Sequence, residues 1–193
     1  LLVSPNGGRK TALAKILAAT LFLLLTSLWF SFLDLIGFAA SFQTFEGLAL
    51  PVFAIPNFAE SSVNLSIFQY VLLSAALKCA GAWVIGMLWL LVSMFWKNAL
   101  LPFVIDFALC MALIVSGAAC AYSNFFWTKV LNPYSLLTNR VLLGKTEFVN
   151  LGGFPVLTWQ AAIWFALIAG LVLVAAIYFL SAENCHRCVR RAK

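Results

Sequence analysis

The chain has 193 residues, of which 64% are hydrophobic, 15% aromatic and only 9% charged. Soluble domains carry about 45–50% apolar and about 25% charged residues, so this chain has too few polar side chains to coat a core and reads as an integral membrane protein. Twelve Lys and Arg against six Asp and Glu give a net charge of +6, but these cations are not clustered together on one soluble face, which argues against nucleic acid as a partner.

A helix crossing a hydrocarbon core of about 30 Å needs about 20 mostly apolar residues. The first stretch of that kind runs from about Thr11 to Ala40, behind a polar lead-in with Ser4, Pro5, Arg9 and Lys10 and with Lys15 in its first turns. Its apolar run far exceeds the roughly 7–15 residues of a signal-peptide core. Residues 42–66 follow, with Gly47, Pro51 and Pro56; their apolar run LALPVFAIP is too short to cross and is expected to lie along the interface. The second span, about Ile67 to Phe95, opens with Ser66 and Gln69 at the spacing of a capping box, in which the hydroxyl and the amide side chain each satisfy a free backbone N–H.

The third span covers about Leu100 to Tyr122 and the fourth about Trp159 to Ser181. Between them lies a long connection that stays apolar. Asn132 as N-cap, Pro133 at the first helical position and Gly144 past the end mark a short helix over YSLLTNRVLL, and FFWTKVL before it forms another. Two helices hinged at Asn132 and Pro133 make an outer segment over about 123–145, either re-entrant or lying flat on the leaflet. At membrane depth such a hairpin is tolerated only against protein or a cavity. The expected fold is therefore all-α: one polytopic transmembrane domain over residues 1–193, with four transmembrane helices and a re-entrant or interfacial helical hairpin before the last.

Arg9, Lys10, Lys15, Lys97, Arg187, Arg190, Arg191 and Lys193 fall on one side of these spans, and Lys129, Arg140 and Lys145 on the other. Positive flanks stay cytoplasmic, which puts both ends in the cytoplasm and the chain in the cell membrane, where the basic tail also meets anionic lipid.

Catalysis can be tested by the parts it requires. A single histidine, His186, stands in the terminal tail, and only Glu46, Glu60, Glu147 and Glu183 are acidic and outside the spans. No phosphate-binding glycine loop or dinucleotide fingerprint is present. The chain is not expected to be an enzyme or to hold a cofactor. Cys79, Cys110 and Cys120 fall inside spans, as packing cysteines do, and Cys185, His186 and Cys188 lack a visible fourth ligand for zinc. No metal is expected.

Charges inside a membrane are functional candidates because burying them is costly. Asp34, Lys78 and Asp106 are the three. From its depth in the second span, a Lys78 side chain reaching outward meets Asp34 rather than Asp106, either as a structural pair or as part of an ion site.

Three segments carry a family resemblance. LLVSPNGGRKTALAKILAATLF looks like the cytoplasmic lead-in to the third span of an ABC-2 type permease, the membrane half of an ATP-driven transporter. VNLSIFQYVLLSAALKCAGAWVIGMLWLLVSMFWKNAL is similar to that family's fourth span running into its fifth, and FFWTKVLNPYSLLTNRVLLG to the aromatic-rich segment that folds back before its sixth. The resemblance implies a permease exporting a hydrophobic or amphipathic peptide, drug or lipid by alternating access, with a cytoplasmic ABC ATPase and a second permease copy or homologue as partners. It implies an ATPase-coupling loop at Ser4, Pro5, Arg9, Lys10 and Lys15, an outer gate at Asn132, Pro133, Tyr134 and Arg140, and a cavity lined by the first and third spans seen here. The family has six spans. Four spans and a first residue Leu1 lead us to expect a fragment lacking two N-terminal spans. The alternative is an ion-coupled secondary transporter or channel using Asp34, Lys78 and Asp106.

Overall fold

The computed structural model describes residues 7–42, 46–55, 58, 64–96, 100–121 and 126–191, with side chains described over 10–40, 47–55, 58, 64–96, 100–119, 128–139 and 141–181. The architecture is all-α and polytopic. Helices α1 (Gly7–Phe42), α2 (Ile67–Ser93), α3 (Leu100–Ala121) and α7 (Thr158–Arg191) contain stretches long and apolar enough to cross a membrane. Three short helices, α4 (Phe126–Leu131), α5 (Pro133–Thr138) and α6 (Arg140–Leu143), join α3 to a two-stranded hairpin of β1 (Phe148–Leu151) and β2 (Phe154–Leu157), which feeds directly into α7.

Helix α2 is the axis of the assembly and packs against α1, α3, α5 and α7. Its start is held by the expected capping box: Gln69 N–H donates to Ser66 Oγ at 3.3 Å, and the Ser66 N–H to Gln69 Oε1 at 3.1 Å. The segment before it forms two 3-10 turns, Glu46–Ala49 and Val52–Ala54, rather than an extended run. They are tied to α2 by Val52 N–H to Leu65 O at 3.0 Å and Ile67 N–H to Leu50 O at 2.9 Å, with Val52 buried beneath.

The driest packing lies at one end of the bundle. Leu77 of α2, Leu136 of α5, Leu142 and Leu143 of α6, Val149 of β1 and Ala161 of α7 form one buried cluster. A smaller cluster of Ile16, Met87 and Ile177 joins α1, α2 and α7 at the other end. Most of α1 and α3 stays uncovered by the chain, as helices bathed in lipid can be, because lipid tails satisfy apolar side chains as well as protein does.

Two local features differ from the sequence expectation. The helix expected over YSLLTNRVLL is broken at Asn139, whose φ of 55° is left-handed, giving α5 and α6 in place of one helix. Asn tolerates that region better than most residues because its short side chain finds local partners. The connection after it is not wholly helical either: β1 and β2 pair antiparallel with Val149 opposite Val156, closed by Gly152 and Gly153 at φ 62° and 98°. Two successive positive-φ residues are what a tight two-residue hairpin turn demands, and glycine supplies them without strain.

Candidate functional site: a charged cleft beside the helical hairpin

Helices α1 and α2 enclose an open cleft of about 400 Å³. Leu23 and Phe30 of α1, Ala82 of α2 and Leu137 of α5 form its apolar walls, with the Thr26 and Ser27 side chains between them. Thr26 Oγ1 donates to Phe22 O at 2.7 Å and Ser31 Oγ to Ser27 O at 2.9 Å. Such back-bonding to the preceding turn satisfies a hydroxyl where water is scarce. Trp83 of α2 reaches across to α1, its Nε1 donating to Thr20 Oγ1 at 3.2 Å.

The ion pair expected from the sequence stands in this cleft: Lys78 Nζ donates to Asp34 Oδ2. The Lys78 side chain is 24% exposed and that of Asp34 58%. The pair is thus accessible from the cleft, with the carboxylate the more open partner. Asp106 does not join it. It sits on α3 with its Oδ1 shielded by the chain and, among the described residues, without a hydrogen-bond partner.

Leu137 reaches the cleft because α5 is seated between α2 and α3. Gly81 of α2 is the seat: a Cβ there would lie 2.8 Å from Pro133 O and 3.0 Å from Leu136 Cβ. Gly117 of α3 plays the same part, where a Cβ would come within 2.7 Å of Tyr134 Cδ1. Small residues let helices approach this closely inside membranes. Asn132 then fixes the hinge. It accepts from the Tyr134 N–H at 3.0 Å as the α5 N-cap, while its Nδ2 donates to Leu113 O at 3.0 Å and Ser116 Oγ at 3.1 Å on α3. At the far end of α5, Asn139 Nδ2 donates to Ser74 Oγ of α2 at 2.6 Å, leaving Asn139 Oδ1 buried without a partner among the described residues.

A second ion pair ties α4 to the residue just before β1. Lys129 of α4, almost fully buried, donates to both carboxylate oxygens of Glu147 at 2.7 and 2.9 Å. The Glu147 carbonyl in turn accepts from Thr158 N–H at 3.0 Å and Thr158 Oγ1 at 2.7 Å, capping the start of α7.

Of the residues singled out by sequence, Asp34 and Lys78 come together, and Asn132, Pro133 and Tyr134 form the hinge wedged against Gly81 and Gly117. Arg140 opens α6, but its side chain lies outside the described residues, as do Ser4 and Pro5. Arg9 is placed by backbone only, in the first turn of α1, and Lys10 and Lys15 are exposed along that helix. The cleft lies between the first and second spans, whereas the expected cavity was assigned to the first and third. Sequence reading also missed Leu137, Asn139, the Lys129–Glu147 pair and the glycine seats. Gly152-Gly153 between two short apolar runs was a hairpin signal available in the sequence; no local pattern marks Gly81 or Gly117 as contact points.

No family model, no curated protein and no solved structure matches this chain.

Proposed function

We propose that the chain is the permease subunit of an ATP-driven ABC-type transporter that exports a hydrophobic or amphipathic substrate by alternating access. The observation that carries this reading is the broken, protein-packed hairpin: α5 rests on Gly81 and Gly117 while its Leu137 forms a wall of the cleft between α1 and α2. Backbone breaks at membrane depth are tolerated where they pack against protein or line a cavity, and a short helix hinged at Asn132 and Asn139 is an element that can move a cleft wall without unfolding a span. The segment resemblance to ABC-2 permeases supports the same reading.

On this proposal the four crossings leave both ends in the cytoplasm of a cell membrane, and the cationic start of α1 with Arg9, Lys10 and Lys15 meets a cytoplasmic ATPase. A second permease copy or homologue completes the path. ATP hydrolysis belongs to the partner, and the chain itself holds no cofactor and performs no catalysis. An ion-coupled transporter or channel is the second reading, favoured by the unpartnered Asp106 Oδ1 within a span. Against it stands the separation of Asp106 from the Lys78–Asp34 pair.

The test is co-purification of the complete gene product with an ATPase encoded beside it. A stable complex whose ATPase rate falls on Arg9→Ala and Lys10→Ala is the expected result. Ion flux through the purified chain alone, with no ATPase bound, refutes the permease reading and transfers the function to the intramembrane charges.

A further inference from the structure

The cleft between α1 and α2 has a polarity gradient. From Leu23 to Asp34 its α1 wall spans twelve residues, eleven steps and so about 16 Å of helix; it is apolar with two hydroxyls at Thr26 and Ser27 and ends in the Lys78–Asp34 pair. Its volume of about 400 Å³ falls within the roughly 300–1,000 Å³ of small-molecule sites. A long apolar trough with a charged end fits a molecule of the same form, an alkyl chain bearing a polar head.

The pair decides which head. Lys78 and Asp34 neutralise each other, so a head of one sign leaves one uncompensated charge in a medium of low dielectric, where that is most costly. A head carrying both signs leaves none. Each partner also has bonding capacity to spare: the Lys78 ammonium has three donors and, among the described residues, donates to Asp34 Oδ2 alone, and Asp34 uses only that oxygen toward Lys78. We infer that the cleft binds a single-chain zwitterionic amphiphile, its alkyl chain lying along Leu23 and Phe30, its anionic group at Lys78 and its ammonium at Asp34. Its standing as cargo rests on the permease reading above; the binding itself does not.

The experiment uses the 193-residue chain in a nonionic maltoside, titrated by native mass spectrometry with three probes of one chain length: myristoyl lysophosphatidylethanolamine, the phosphodiester tetradecyl methyl phosphate, which carries one negative charge, and tetradecylamine. The zwitterion binds at least about tenfold more tightly than either singly charged probe, the equivalent of one charge-assisted hydrogen bond. In the near-isosteric neutral pair Asp34→Asn/Lys78→Met the three probes bind alike, and Ala82→Phe, which fills the trough, weakens all three. Equal binding of the probes to the native chain, preference for a singly charged head, or a zwitterion preference that survives in the neutral pair overturns the inference. Binding with this pattern and no ATPase partner refutes the permease reading alone; ATPase-coupled export with no head preference refutes this inference alone.

Discussion

Replacing Gly81 by Ala tests whether the hairpin is seated on α2 as described. The added methyl would lie 2.8 Å from the Pro133 carbonyl oxygen and 3.0 Å from Leu136 Cβ, and the first of these is backbone that cannot rotate away. Overpacking of a close-packed contact costs about 1–3 kcal/mol, while Ala in place of Gly in a helix interior gains about 0.8–1 kcal/mol. Gly37→Ala isolates the second effect, since a Cβ at Gly37 on α1 meets nothing within 4 Å. The two variants should therefore differ in stability by about 1–3 kcal/mol, and at about 2–4 °C per kcal/mol for a chain of this size their melting temperatures separate by several degrees. Tryptophan-fluorescence melting in detergent reads this directly. A Gly81→Ala protein as stable as Gly37→Ala would refute the seat, and with it the route by which Leu137 enters the cleft.

Two other contacts of the hairpin carry distinct expectations. In the Lys129–Glu147 pair the lysine side chain is 7% exposed and the glutamate 32%, so Glu147→Gln strands a buried ammonium whereas Lys129→Met leaves a carboxylate that can turn toward solvent. Breaking a fully buried pair costs about 3–5 kcal/mol, which the exposure of Glu147 reduces to about 1–3 kcal/mol; Glu147→Gln should be the more damaging single change and the double variant should recover most of the loss, an order that denaturant melts would reverse if the pair were not structural. At Asn139, alanine incurs the left-handed backbone strain, about 1–2 kcal/mol, and also loses the bond to Ser74, about 1 kcal/mol. Asn139→Gly incurs only the second, so glycine must be the milder substitution in the same melt; equal losses would mean that the break at Asn139 is not held in the left-handed form.

The four membrane-spanning helices were legible in the sequence because a span is a local property: about twenty apolar residues in a row must bury their own backbone bonds wherever they sit. The Ser66 capping box and the Asn132-Pro133 helix start were legible for the same reason, since each depends on residues within one turn. The Lys78–Asp34 pair lay one step further, reachable from helix rise and span direction alone because few intramembrane charges were available to choose among. The remaining features needed the tertiary structure. Asn139 breaks a helix that local signals would continue, because Ser74, 65 residues away, holds its side chain in a left-handed turn. Gly81 and Gly117 become seats only when α5 arrives against them. The run of apolar residues determined that four helices among the described residues are long and apolar enough to cross a membrane. Which helix faces enclose a cleft was decided by where close backbone approach was possible, because in hydrocarbon the apolar surface of every span is equally satisfied and packing geometry alone selects among partners.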